Sequence, residues 1–249
     1  MHVPLSRPRS PVNYLRSLVA FVVPALAGIA ILLTGPLWNR NGARNLATRV
    51  IGRWGTALAG IEPVISDPTD AADHRPAVVV FNHQSGVDPV LLCALLRGNV
   101  VGVSKESLRR HPVLGPLLTL ADTVFVDRSA GVGPEALAPA RKALERGLAV
   151  AIAPEGHRQH RLGAFREGAV QLARQAHVQL VPVILHDSAK ILPPGTSVMR
   201  PDRVHISVLE PLDPFQTSTS ELEQLYHAHL GDHRAGARHA SAGRGNSPG

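Results

Sequence analysis

His83 stands five residues ahead of Asp88 in "NHQSGVDP", directly after the apolar run "AVVVF". On a continuous helix, residues five apart are turned from each other by about 140°, so these side chains meet only if the chain turns between them. Gly86 makes such a turn easy. A carboxylate on one imidazole nitrogen fixes the tautomer and leaves the other nitrogen free to accept a proton, and it stabilises the imidazolium that forms. Such a pair is equipped for general-base chemistry. The same residues have a plainer use, because Asp88-Pro89 ahead of "VLLCALL" also reads as a helix N-cap followed by a first-turn proline. The two uses are compatible. Nucleophilic alternatives are thin: Ser85 lies on the loop between the pair but has no separate base, Cys93 sits in an apolar run, and no Gly-x-Ser-x-Gly turn is present.

The elements that position the pair follow from apolar patterning. Strand-length runs occur at Ala77–Phe81, Val100–Ser104, Thr123–Val126, Leu148–Ala153, Leu180–Leu185 and Val204–Leu209. Helical stretches alternate with them at Pro89–Leu96, Leu114–Leu120, Ala136–Glu145, Arg166–His177 and Ser220–His229. Near-continuous apolar strands of this kind predict an α/β domain, a mostly parallel β-sheet flanked by helices. Ligands of such sheets sit beyond the carboxyl ends of the strands, where Asn82 and His83 fall.

A 23-residue uncharged stretch between Arg16 and Arg40 precedes the domain. It is long enough to cross a bilayer, which takes about 20 apolar residues, and longer than the apolar part of a signal peptide. Basic residues flank both ends, so charge assigns no orientation. In the next segment Leu46, Val50, Trp54 and Leu58 recur every four residues beside Arg44, Arg49 and Arg53. That pattern fits a helix in the headgroup layer or one packed on the domain. The expected organisation is therefore an N-terminal helical membrane-anchoring segment at 1–62, a catalytic domain at 63–230 reached through the polar linker "SDPTDAADHRP", and a low-complexity, disordered tail at 231–249. The net charge of +7 calls for an anionic partner, and with only 4% aromatic residues there are too few stacking platforms for nucleic acid. Lipid or phosphate is the expected partner, not nucleic acid. A single cysteine rules out an internal disulfide and fits a reducing compartment.

Five blocks in order, "NHQSGVDP", "VSKESLRRHPVLGPLL", "TVFVDRS", "APEGHRQ…FREGAV" and "VPVIL", resemble the glycerolipid acyltransferase family typified by 1-acylglycerol-3-phosphate acyltransferases, over Pro76 to Leu185. The resemblance implies that a fatty acyl group passes from a thioester, acyl-CoA or acyl carrier protein as co-substrate, to the hydroxyl of a membrane lysophospholipid. It implies no cofactor and no acyl-enzyme, with His83 as base and Asp88 as its orienting acid. Arg128 is implied as the phosphate ligand, with Gly156 and Arg158 near it, Lys105 facing donor or acceptor phosphates, and Glu155 orienting an arginine or bonding an acceptor hydroxyl. A cell-membrane location with the catalytic domain on the cytoplasmic face follows from the same likeness. The chain departs from the family pattern at Ala153, His157 and Asp122, where phenylalanine, threonine and glycine are usual. Those positions border the acceptor pocket in family members, so they bear on which lysolipid is accepted, a lyso-ornithine lipid being one alternative. Two other classes fit the residues less well. A metal-dependent membrane hydrolase would use His83, Asp88 and His157, which do not fall in HxH or HExxH spacing. A silent lipid-binding module has no need of the His–Asp pair.

Overall fold

Five consecutive residues buried on both faces, Ala77–Phe81, form β2, as an unbroken β-branched run requires. A computed structural model describes residues 11–127, 134–156, 162–193 and 195–242. In it β2 lies at the centre of a seven-stranded sheet. The other strands are β1 (Ile61–Ser66), β3 (Val100–Lys105), β4 (Val124–Val126), β5 (Ala149–Ile152), β6 (Gln179–Leu185) and β7 (Asp202–Val208), in the order β1-β7-β6-β2-β5-β3-β4. Every pairing is parallel except β6 with β7.

Alternation along β2 divides the core between the sheet faces. Val79 and Phe81 pack with α3 (Asp88–Leu96) through Leu91 and Leu95. Val78 and Val80 pack on the opposite face with α5 (Ala138–Glu145), α6 (Gly168–Ala176) and α7 (Thr219–Ala242) through Leu144, Leu172 and Tyr226. The mostly parallel, helix-flanked sheet is as the sequence predicts.

Ahead of it, α1 (Pro11–Thr34) and α2 (Arg40–Ala59) form an antiparallel hairpin. Cβ atoms built on Gly28, Gly35 and Gly60 would meet Ile51, Ala43 and Arg16 respectively, which fixes the direction. The hairpin docks by small residues. A Cβ on Gly52 would stand 2.4 Å from the Ala94 backbone nitrogen, so α2 and α3 touch backbone to backbone there. The buried face of α2 is Ala43, Ala47, Gly52, Gly55, Thr56 and Ala59. Leu46 and Trp54 of the four-residue stripe are exposed and do not pack on the domain.

Three boundaries differ from the sequence reading. Strand β1 goes unforeseen because Pro63 interrupts "IEPVIS"; an edge strand tolerates it, and β1 pairs only with β7. The expected domain boundary at 62/63 thus falls inside a strand. Helix α7 continues to Ala242, past the tail boundary at 230, because "AGARHASA" is rich in alanine, the best helix former, despite its low complexity. Residues 243–249 lie outside the described residues.

Candidate active site

The turn after β2 is held by three side chains. Asn82, fully buried, donates from Nδ2 to the Leu185 carbonyl (2.9 Å) and accepts at Oδ1 from the Leu185 N–H (2.8 Å). It clips the end of β2 to the end of β6, so the chain leaves the sheet at His83. Asp88 then reaches back. Its Oδ2 accepts from the backbone N–H groups of Gln84 and Ser85, each at 2.7 Å, and lies 2.8 Å from His83 Nδ1. Two of those partners can only donate, which makes Oδ2 an acceptor and assigns the proton to Nδ1. Nε2 is left with its lone pair. The Asp88 side chain is fully buried and that of His83 is 25% exposed, so the acid is shielded while the base meets solvent.

Asp88 is not an N-cap. Val87 occupies that position without a side-chain bond, and Asp88 is the first helical residue. Its carboxylate serves the loop and the imidazole. The Phe81 ring packs edge-on to His83 with centroids 5.9 Å apart.

Glu155 is held by backbone donors. It follows β5, the neighbour of β2, and is 1% exposed. Oε1 accepts from the His83 backbone N–H and Oε2 from the Gly163 N–H, both at 2.8 Å. Both oxygens thus accept from backbone N–H groups, which tie the turn at His83 to the segment at Gly163. Glu155 is a positioning residue. Burial pushes its carboxyl above the ordinary range, against the two backbone bonds that pull it down.

Gly156 comes next in the left-handed region (φ 77°), and a Cβ there would lie 3.1 Å from Arg166 Nε. Only glycine suits both constraints. Arg166, whose N–H donates to the Pro154 carbonyl at 3.0 Å, is an exposed cation beside the site that the sequence reading did not single out. Its signal was its place in "FREGAV". Ala153, Gly156 and Arg166 line a cavity of about 220 Å³ whose walls are mainly apolar, including Val103, Val126 and Ile152.

Lys105 ends β3 at the same carboxyl edge, two strands from β2, with an exposed side chain. Arg128, Arg158 and His157 lie outside the described residues. Asp122, the departure from glycine, sits in the left-handed region (φ 58°) that glycine favours and aspartate tolerates, and it pairs with Arg44 of α2. That change keeps a turn at the sheet edge.

The competing nucleophiles are occupied. Ser85 Oγ is fully buried and donates to the Leu192 carbonyl at 3.0 Å. Burial pushes the Cys93 thiol up to about 12. Among the described residues no three His, Cys, Asp or Glu side chains gather where they could hold a metal.

An open, mostly parallel α/β sheet with a shielded His–Asp pair at its carboxyl edge is chemically equipped for general-base work at a strand end. The acyltransferase family profile matches residues 62–186, and the chain belongs to that family. It is 31% identical over 201 residues to a 1-acyl-sn-glycerol-3-phosphate acyltransferase of Limnanthes alba, covering 79% of this chain and 71% of that protein. It is 30% identical over 160 residues to an uncharacterized acyltransferase of Schizosaccharomyces pombe, covering 62% of this chain but only 57% of that protein. The crystal structure of PlsC, the 1-acyl-sn-glycerophosphate acyltransferase of Thermotoga maritima, shares the fold, with a TM-score of 0.77, 23% identity, and coverage of 91% of this chain and 97% of that one.

Proposed function

We propose that the enzyme transfers a fatty acyl group from a thioester to the free hydroxyl of a lysophospholipid, 1-acyl-sn-glycerol 3-phosphate, giving phosphatidic acid. The observation that carries this reading is the 2.8 Å contact between His83 Nδ1 and an Asp88 oxygen already fixed by two backbone donors. The names of the relatives supply the acceptor.

In this reading Nε2 of His83 takes the proton of the lipid hydroxyl as its oxygen bonds to the thioester carbonyl. Asp88 stabilises the imidazolium. The tetrahedral intermediate then expels the thiolate, which recovers the proton from Nε2, so the enzyme ends unchanged. No acyl-enzyme forms, and no metal or bound cofactor takes part. The apolar cavity beside Gly156 is placed to receive acyl carbons, with Arg166 adding a cation for the acceptor phosphate. General-base catalysis contributes about 10²–10⁴-fold, which is the loss expected on removing the imidazole.

The α1–α2 hairpin serves as the membrane contact. Among the described residues one helical span, Pro11–Leu37, is long and apolar enough to cross a bilayer. Yet its buried residues run from Ser17 to Leu32, and Gly28 abuts both Ile51 of α2 and Leu117 of α4 (Leu114–Leu120). A helix packed on the domain along so much of its length fits better lying in one leaflet, with its exposed leucines in lipid, than crossing both. The catalytic edge then faces the cytoplasmic surface, where acyl thioesters are presented.

The test is acyl transfer by the purified full chain, with acyl-CoA or acyl carrier protein and a panel of lysolipids that includes lyso-ornithine lipid. Phosphatidic acid formation that falls at least 100-fold in His83→Ala is expected. Formation at full rate in that variant, or activity confined to acceptors without phosphate, refutes the reading.

A further inference from the structure

A groove of about 860 Å³ lies at the β4 edge of the sheet, between the start of α2, the end of α4, β4 and α5. Four cations line it, Arg40, Arg109, Lys142 and Arg146, against two acids, Asp122 and Glu145. Arginines outside the lining already answer both acids: Arg44 pairs with Asp122, and Arg141 with Glu145 at 3.5 Å. Arg109 is engaged as well, bonded to Glu106 at 2.9 Å and lying over the Phe125 ring, 4.4 Å from its centroid. Among the described residues Arg40, Lys142 and Arg146 have no ion-pair partner, and all three are exposed. The groove therefore holds three unanswered positive charges over an apolar floor of Val101, Val124 and Ala143.

Its place in the fold sets the groove apart from the His–Asp pair. Val101 is level with Val150 and so with Val78, which puts it about 10 Å short of the end of β2 and two strands aside. Arg146 lies in the connection from α5 into β5, on the amino side of the sheet. The hairpin tip lies on that side too. Cβ atoms on Gly55 and Gly52 would meet Val90 and Ala94 in turn, so α2 runs antiparallel to α3. Asn45 bonds to Asn99 (2.9 Å), just ahead of β3, and Arg40 stands about 7.5 Å further along α2, past that edge. Shortly before it Leu37 is 85% exposed and Trp38 54%, continuing the exposed leucines of α1. The cations thus stand where the apolar surface of the hairpin ends. An exposed tryptophan with basic neighbours at such a border belongs at the level of lipid headgroups.

We propose that the groove binds the headgroup of an anionic glycerophospholipid that is not a substrate, held at the opposite edge of the sheet from His83. Arg40, Lys142 and Arg146 meet its phosphate, and its acyl chains lie beside Leu33, Leu37 and Trp38. One lipid then answers the unpaired cations and covers the apolar border, whereas a soluble phosphate would leave that border bare. The exposed leucines hold the protein in the leaflet. The groove adds a preference for anionic membrane and pins the hairpin tip, which fixes how the domain is turned on the surface. The inference rests on the hairpin being the membrane contact, and not on the acyl-transfer chemistry.

The variant is Lys142→Gln/Arg146→Gln, both positions being exposed, with Lys142→Arg/Arg146→Lys as the charge-keeping control. Arg97→Gln/Arg203→Gln removes the same charge from exposed positions outside the groove. Full-length proteins are floated with phosphatidylcholine vesicles, alone or mixed with phosphatidylglycerol. Two cations near an anionic surface are together worth roughly 30-fold in partition, so the wild-type preference for mixed vesicles should fall about that far in the glutamine variant. Binding to pure phosphatidylcholine should not change. The charge-keeping control should match wild type, and the displaced-charge variant should lose about threefold at most. Native mass spectrometry in detergent should show one phosphatidylglycerol on wild type and none on the glutamine variant. Equal losses in the glutamine and displaced-charge variants overturn the inference in favour of diffuse charge, and so does wild type that carries no phosphatidylglycerol in detergent. Binding of sn-glycerol 3-phosphate as strong as that of phosphatidylglycerol, and lost in the glutamine variant, also overturns it and assigns the groove to a soluble phosphoester. Wild type that fails to float with phosphatidylcholine at 1 M salt removes the hairpin as the membrane contact, while the detergent measurement still reports on the groove.

Discussion

At the scale of single residues the site is an arrangement of acceptors around one imidazole. Asp88 Oδ2 takes three donors, and an amide oxygen at that point keeps the geometry but not the charge that steadies an imidazolium. Asp88→Asn should therefore fold and bind lipid yet lose about 10²–10⁴-fold in kcat, measured as acyl transfer beside His83→Ala. A loss of less than tenfold would remove Asp88 from the proton transfer. Glu155 yields a prediction about pH. Its carboxyl is raised in the folded protein, so between the ordinary value near 4.5 and the raised one the native state binds more protons than the unfolded chain. Its contribution to stability is greatest below 4.5 and is lost as pH rises through the folded value. Glu155→Gln stays neutral throughout but offers one acceptor oxygen where two backbone N–H groups need partners. Denaturant midpoints from pH 4 to 8 should show wild type losing ground to the variant as pH rises. The variant should also be less active at every pH, because the His83 backbone is no longer held. A difference independent of pH would contradict the buried carboxyl.

Between elements, contacts far apart in sequence decide the geometry. Pro182 lies in central strand β6, where a proline normally argues against a strand. The phenol of Tyr226, from α7, is inserted there, accepting from the Val183 N–H (3.2 Å) and donating to the Val80 carbonyl (2.7 Å). Tyr226→Phe leaves both groups unsatisfied in a dry core, and chemical denaturation should register a loss of about 1–3 kcal/mol. At the other end of the chain Gly52→Ala would force α2 off α3, since the obstacle is Ala94 backbone rather than a movable side chain, costing about 1–3 kcal/mol by the same measurement. These contacts mark the limit of what the sequence makes legible. Strands β2 to β7 and the His83–Asp88 meeting are readable because their signals are local: β-branched runs, a glycine, five residues of spacing. The partners of Asn82, Glu155 and Tyr226 are Leu185, His83 and Val80, separated by 103, 72 and 146 residues. No local pattern encodes such pairings. Glu155 consequently reads as a substrate ligand until its oxygens are seen bound to backbone. Strand β1 is missed because local chemistry, Pro63, points the wrong way.

The whole molecule has one face that water does not suit. Leu15, Leu18, Leu26 and Leu33 of α1 are 62%, 59%, 55% and 61% exposed, and Leu37, Trp38 and Trp54 extend the patch. Apolar exposure of this kind marks a surface meant to be covered, and on the function proposed above the cover is the bilayer. Burying a leucine side chain is worth about 1.5–3 kcal/mol, and each of these is a little over half exposed, so each contributes about 1–1.5 kcal/mol on entering lipid. Leu26→Gln/Leu33→Gln should weaken vesicle binding roughly 30- to 150-fold while leaving the denaturation midpoint nearly unchanged, because neither side chain packs in the core. The net charge of +7 offers a competing account in which arginines hold the enzyme to anionic lipid. Salt separates the two, since screening strips a charge-held protein from vesicles and spares one held by burial. Flotation of wild type and variant with neutral and anionic vesicles, at low and at 1 M salt, decides between them. Retention by wild type on neutral vesicles at high salt, lost in the leucine variant, is the outcome the exposed face demands. Release of wild type by salt alone would assign the membrane contact to charge.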